Sequence, residues 1–221
     1  MQQEVTHVYF MPGMAADVSI FDFIKLPSDR YIVHTLAWKI PSKNESVEKY
    51  AKRMCEDVMH ENCVLIGVSF GGLIVQEMSR FLKLKKLIII SSVKSKFELP
   101  KRMKIARATK AYKLVPTGMI SKIDDWEKLA LGDFAKKRAA LYQKYLSVND
   151  KVYLDWAIEK MVCWDQEKPP KGLVHIHGDN DIIFPVSNIK DCIIVAGGTH
   201  VMIINRAKWF IENLPEIIED N

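Results

Sequence analysis

The sequence predicts an α/β fold, a three-layer sandwich around a mostly parallel sheet of about six strands. Three observations carry that prediction. Short apolar runs alternate with helical patterns through residues 1–96 and again through 171–221. Several of these runs are rich in β-branched residues and lack polar alternation, as strands buried on both faces do. Strands that alternate with helices pair in parallel through right-handed crossovers. With 221 residues and 48% apolar residues, the chain can bury one sizeable core, which excludes a disordered polymer.

The elements follow in order. Residues 5–10 read as a first strand, ended by Pro12-Gly13, and residues 31–36 as a second. Ser46 is placed to cap a helix whose apolar face is Val47, Tyr50, Ala51, Met54 and Val58, spaced by threes and fours. Residues 63–68 form a third strand, followed by a helix that buries Ile74, Val75, Met78, Phe81 and Leu82. Further strands are expected at 86–90, 172–177 and 192–196, with a closing helix through Ile203, Ala207, Phe210, Ile211 and Leu214. The interval 97–170 breaks this rhythm. It reads as helical over 103–114, 126–131, 139–148 and 152–162. A helical insertion that rises from a strand's carboxyl end would cover the ligand crevice of an open α/β sheet. The expected organisation is one domain, with a core of 1–96 and 171–221 and a helical cap of 97–170.

The run Gly67-Val68-Ser69-Phe70-Gly71 sits between the apolar run ending at Ile66 and the helical pattern from Gly72. This G-x-S-x-G pattern between strand and helix is a nucleophile elbow, a sharp turn with the serine at its apex. The glycines answer to sterics, because larger side chains would collide where strand passes into helix. A serine nucleophile needs a base, and the base needs an acid to orient it. His7, His34 and His60 precede the serine, and His175 and His177 lie on a strand. His200 lies in the loop Gly197-Gly198-Thr199-His200 beyond the last strand, so it is the candidate base. The acid is sought in His177-Gly178-Asp179-Asn180-Asp181. Asp181 is favoured, because the chain leaves the sheet there, while Asp179 suits the turn itself. His177 is expected to pack or to hydrogen-bond within its loop. Donors for an oxyanion are expected from the backbone N–H groups of Phe70, next to the serine, and of Met14, in the loop after the first strand.

The elbow at Ser69, the H-G-x-x-D run ending at Asp181 and the G-G-x-H run ending at His200 resemble the α/β-hydrolase superfamily, over nearly the whole chain. The resemblance implies a serine hydrolase that cleaves an ester, thioester or amide through an acyl-enzyme. Ser69 would be the nucleophile, His200 the base and Asp181 its orienting acid. It implies no cofactor and no metal. The first-strand loop reads Met11-Pro12-Gly13 where the family often has His-Gly, and the first strand corresponds to the family's third. A lyase or perhydrolase using the same residues, or a silent binding module on the same scaffold, are the other classes. Trp38, Trp126, Trp156 and Met202 flank the motif loops or lie in the insertion, and predict an apolar pocket for a small acyl substrate.

Composition narrows the partners. Cys55, Cys63, Cys163 and Cys192 are widely spaced, with no C-x-x-C or Cys/His grouping, which argues against a zinc site and a disulfide scaffold. Reduced thiols and a start without a signal-like h-region suggest the cytoplasm. No apolar stretch has the length of a membrane span. Much of the net charge of +5 lies in 94–113, a basic stretch in which no aromatic interleaving supports base stacking; this disfavours nucleic acid and leaves a small molecule as the expected partner. That stretch could attract an anionic substrate. Oligomeric state is left open.

Overall fold

The computed structural model describes residues 5–117, 145 and 147–220. Its strands are β1 (Thr6–Met11), β2 (Tyr31–Thr35), β3 (Cys63–Val68), β4 (Leu84–Ile90), β5 (Val174–Gly178) and β6 (Ile193–Val195). They form one sheet in the order β2-β1-β3-β4-β5-β6, parallel at every pairing. The third strand occupies its predicted span, and the others begin or end a residue or two away. The described helices are α1 (Val47–Met54), α2 (Phe70–Met78), α3 (Lys101–Thr109), α4 (Lys151–Cys163), α5 (Met202–Asn205) and α6 (Ala207–Glu219).

The alternation of side chains along each strand divides the core into two layers. Tyr9, Met11, Leu65, Leu87 and Ile89 face one side, where they pack with residues of α1, α2 and α4. Val8, Phe10, Val64, Ile66, Ile88 and Ile90 face the other, against α5, α6 and a short 3-10 turn at Val18–Phe21. β3 lies between β1 and β4 and is buried along its whole length, which explains its unbroken apolar run.

α1 begins where the sequence places it, with the Ser46 side chain accepting the Lys49 N–H at 3.2 Å. α2 is buried along its whole length but stops at Met78, short of Phe81. Beyond Met78 the chain tightens: the amides of Arg80 and Phe81 reach back three residues, to Glu77 and Met78. Phe81 therefore lies on an outward turn and is 40% exposed, against the expectation that it is buried. The closing helix comes in two pieces, broken at Arg206, whose φ of −122° leaves helical geometry. Within the insertion, the segment predicted as 103–114 is α3 followed by a 3-10 turn, divided at Lys110 with φ +59°. The helix predicted over 152–162 is α4. The one predicted over 126–131, with Trp126, lies outside the described residues, as does most of that predicted over 139–148, whose last two residues are not helical.

Consecutive strands β1 and β2 run outward in one direction, while β3 to β6 run in the other. The switch lies between β1 and β3, where an open α/β sheet forms its crevice at the strands' carboxyl ends. The loop after β1 and the turn after β3 meet there.

Candidate active site

Ser69 lies between β3 and α2, with φ +53° and ψ −119°. A non-glycine residue held there is strained and persists only where its surroundings fix it. Three bonds do so. The Ser69 N–H still donates to the Ile90 carbonyl at 2.9 Å, extending the β3–β4 ladder. The Ser69 carbonyl accepts the Gly72 N–H at 2.9 Å and the Ser92 hydroxyl at 2.7 Å. Close backbone approach makes the flanking glycines necessary. A Cβ on Gly67 would lie 2.4 Å from the Gly71 carbonyl oxygen, and one on Gly71 would lie 2.2 Å from that of Pro12.

The loops after β5 and β6 are joined in the same way. A Cβ on Gly178 would lie 2.2 Å from the Gly198 carbonyl oxygen, and that oxygen accepts the Asn180 N–H at 2.9 Å. This contact sets Asp181 beside His200. His200 Nδ1 is 2.9 Å from Asp181 Oδ2, and His200 Nε2 is 2.9 Å from Ser69 Oγ. An ionised carboxylate only accepts, so Nδ1 carries the imidazole proton and Nε2 offers its lone pair to the Ser69 hydroxyl. The other Asp181 oxygen accepts the N–H groups of Ile183 and Phe184 at 2.8 and 2.9 Å. Burial pushes the Asp181 carboxyl up. The hydrogen bond and charge of His200, with the Phe184 amide, outweigh it and hold the group below the usual carboxylate range. Asp179 is exposed, so the structure sets Asp181 rather than Asp179 against the histidine.

Behind the carboxylate stands a pair of buried histidines. The Phe184 carbonyl, 2.8 Å from His177 Nε2, can only accept, so that nitrogen carries the proton. His177 Nδ1 then accepts from His175 Nε2 at 3.0 Å. Burial lowers both pKa values, that of His175 to about 2, so both rings stay neutral. The sequence reading of His177 as a packing residue agrees with this placement. Its carbonyl bond fixes the loop from which Asp181 projects.

Phe70 opens α2, so its N–H has no acceptor within the helix. The loop after β1 is a turn closed by Ala16 N–H to Gly13 carbonyl at 3.1 Å, with the same carbonyl held by the Trp38 indole at 3.0 Å. A Cβ on Gly13 would lie 3.4 Å from Ser69 Cβ, so this loop abuts the serine and brings Met14 beside it.

No family model matches the sequence, and no curated protein matches it. Solved structures do. The enol-lactonase from Burkholderia xenovorans LB400 superposes with a TM-score of 0.70 at 14% identity, covering 98% of this chain and 92% of that one. A bromoperoxidase from Bacillus anthracis gives 0.68 at 16% identity, covering 99% and 94%. An esterase from Exiguobacterium antarcticum gives 0.65 at 15%, covering 100% and 94%. The chain has the α/β-hydrolase fold. At these identities the likeness is one of architecture, and it extends over nearly the full length of both partners.

In this α/β-hydrolase fold a cleft of about 290 Å³ opens at the serine. Besides Ser69 and His200, its described lining is apolar: Met14 and Phe70 from the motif loops, Ile183 and Phe184 beside the acid, Met103 from α3, and Ile158, Met161 and Val162 from α4. Of the predicted pocket residues, Trp126 lies outside the described residues. The other three are not among the described lining. Trp38 braces the loop after β1 and stacks on Phe70 at 5.4 Å. Trp156 donates its indole N–H to the Glu45 carbonyl at 2.8 Å and is a core residue. Met202 is buried in the layer on the opposite face of the sheet. Large aromatic residues near motif loops drew attention in the sequence. The signal that marks the lining is subtler: Ile158, Met161 and Val162 are spaced as one helical stripe.

The basic stretch is largely tied down. Lys94 is buried, and its ammonium reaches the carbonyls of Lys190 and Asp191. Lys96 pairs with Asp165 and Glu167, and Arg107 with Asp165. Arg102 donates to the carbonyls of Ile182 at 3.0 Å and Ile183 at 2.6 Å, fastening α3 to the loop that carries Asp181. These bonds give much of the positive charge a packing role, and none of these side chains is among the described lining of the cleft.

Proposed function

We propose that the protein is a serine hydrolase that cleaves an ester or thioester of a small, largely apolar acyl substrate through an acyl-enzyme. One observation carries the reading: an unbroken line of hydrogen bonds from Ser69 Oγ through His200 to Asp181, opening on an apolar cleft. In this mechanism Ser69 Oγ attacks the substrate carbonyl carbon as its proton passes to His200 Nε2. The oxygen of the tetrahedral intermediate takes the electron pair and faces the amides of Phe70 and Met14. The C–O or C–S bond then breaks, and His200 gives its proton to the departing alcohol or thiol. Water attacks the acyl-enzyme, losing a proton to His200, and the carboxylic acid leaves as Ser69 is reprotonated. Asp181 holds the imidazole in its tautomer and stabilises its charged form throughout.

The cleft volume supports a small acyl group, since it lies at the low end of the range for ligand pockets, roughly 300–1,000 Å³. The cap role proposed for 97–170 is supported in its described part by the lining residues that α3 and α4 contribute. The four cysteines are free, which suits a reducing compartment such as the cytoplasm. Among the described residues no helix is long and apolar enough to cross a membrane.

A fluorophosphonate probe tests the reading. The folded wild-type protein should be labelled and Ser69→Ala should not. A folded wild type that resists the probe would instead favour a silent binding module. A panel of nitrophenyl esters should show turnover falling as the acyl chain outgrows the cleft. A second reading draws on the likeness to a bromoperoxidase. Hydrogen peroxide in place of water would then take the acyl group from Ser69 and give a peracid. Comparing acid with peracid release when peroxide is added separates the two.

A further inference from the structure

Toward the amino ends of β1 and β3 three histidines converge. His7 is on β1, His34 on β2, and His60 in the turn that leads into β3. The parallel register sets Tyr9 opposite His34, and His7 lies two residues before Tyr9 on the same face. One ring nitrogen from each histidine lies within 4.8 Å of the other two. His7 Nδ1 and His34 Nε2 are 2.9 Å apart. The rings of His7 and His60 stack with centroids 3.4 Å apart. Tyr9 Oη lies 2.7 Å from His60 Nδ1 and accepts the Met59 N–H at 3.1 Å, so the phenol braces the third ring against the strand.

We propose that His7, His34 and His60 form a binding site for a divalent transition-metal ion of the zinc class. Two imidazole nitrogens at 2.9 Å aim their lone pairs at one shared proton. An ion replaces that proton. Zinc–nitrogen bonds of about 2.0–2.1 Å set tetrahedral ligand nitrogens roughly 3.3 Å apart, so the pair opens by only a few tenths of an ångström. Among the described residues the group contains no carboxylate. A donor set of imidazoles alone selects Zn²⁺, Cu²⁺ or Ni²⁺ over Mg²⁺ and Ca²⁺, which prefer oxygen. With Nδ1 of His60 turned to Tyr9, Nε2 is the nitrogen left for the ion. Tyr9 is thus the orienting partner that metal-bound histidines commonly have. Three ligands leave one coordination position to water. The sequence argued against a zinc site because its widely spaced cysteines form no C-x-x-C or Cys/His grouping. The parallel pairing of β1 with both β2 and β3 is what brings distant histidines together.

The test uses the full chain without an affinity tag, stripped with a chelator and titrated with Zn²⁺ against a chromophoric zinc indicator. Wild type should take up one equivalent, and Mg²⁺ in excess should not compete. His34→Gln and His60→Gln should each weaken binding by more than about tenfold, and Tyr9→Phe by about tenfold. His200→Gln should leave the equivalent in place. Zn²⁺ should raise the melting temperature of wild type but not of the His34 or His60 variants. If either of those variants fails to fold, the other carries the result, since one residue is on a strand and the other in a turn. Failure to bind Zn²⁺, competition by Mg²⁺, or equal binding by the folded His34→Gln and His60→Gln variants would overturn the proposal.

Discussion

The two ends of the sheet use the same side chain to opposite effect. At the carboxyl end, His200 stands between a carboxylate and a hydroxyl, each 2.9 Å away. Asp181 decides which nitrogen carries the proton, and the other nitrogen is left to receive one. At the amino end, His7, His34 and His60 face one another, and the grouping holds no carboxylate among the described residues. His7 and His34 then share one proton between two nitrogens 2.9 Å apart, which is the arrangement a cation can exploit. β3 links the two ends, beginning just after His60 and ending just before Ser69, a span of about 20 Å. An imidazole's chemistry is therefore set by what faces it rather than by the strand that bears it. Sites this far apart, with no shared partner, should respond to mutation independently.

The largest way to test that independence is Ser69→Ala. Turnover of a short nitrophenyl ester should fall by roughly 10⁶-fold, as when a serine nucleophile is lost elsewhere, while Zn²⁺ uptake at the amino end is unchanged. Asp181→Asn comes next. The amide can donate a hydrogen and so favours the wrong imidazole tautomer, and kcat should drop by roughly 10⁴-fold with the fold intact. The same variant should change the acid limb of stability. The folded Asp181 carboxyl sits below its unfolded value, near 3.9, so its contribution is present above that pH and is lost as pH falls through the folded value. In Asp181→Asn that part of the slope should disappear from a urea-melt series between about pH 5 and pH 2.

The carboxyl-end site was far more legible in the sequence than the amino-end cluster, and the reason is steric. Ser69, Asp181 and His200 each project from a loop that must approach other backbone, so each carries glycines nearby that betray it. Gly67 and Gly71 flank the serine, and Gly178 and Gly198 meet between acid and base. His7, His34 and His60 sit on or beside ordinary strands, where no special backbone is needed and no local mark is left. Their meeting follows from the strand order, which the sequence does not state. The sheet itself could be read from its apolar runs. The apolar character of the pocket could be read too, but Trp38 and Trp156 misled, because they satisfy their indoles on the Gly13 and Glu45 carbonyls, as large aromatics near a core commonly do.

The glycine argument has its own test. Gly71→Ala would set a methyl 2.2 Å from the Pro12 carbonyl oxygen, backbone against backbone, where no side chain can move aside. Unfolding free energy should fall by about 3 kcal/mol, the upper end of overpacking costs, as measured by urea denaturation. A change confined to acid is expected of His175→Gln. In the folded protein this ring resists protonation down to about pH 2, whereas in the unfolded chain it takes a proton near 6.5. Stability therefore falls with pH between those values, by up to about 1.4 kcal/mol per unit from this group. Glutamine can still offer an amide N–H toward His177 but cannot be protonated, so the acid midpoint of unfolding should move to lower pH.

The smallest expected effect separates the two ends most sharply. His34→Gln removes a proposed metal ligand on β2, the edge strand, and changes nothing that touches Ser69, His200 or Asp181. Its kcat/KM on the ester should stay within about twofold of wild type, the range of a substitution away from a site. A fall near that of Asp181→Asn would mean that the histidines at the amino end steer the chemistry at the other. The route would have to run along β1, which bears His7 at its start and feeds the Gly13–Met14 loop at its end. Measuring the oxyanion contribution in that variant, with a tight-binding boronic acid as the probe, would then show whether the Met14 amide had moved.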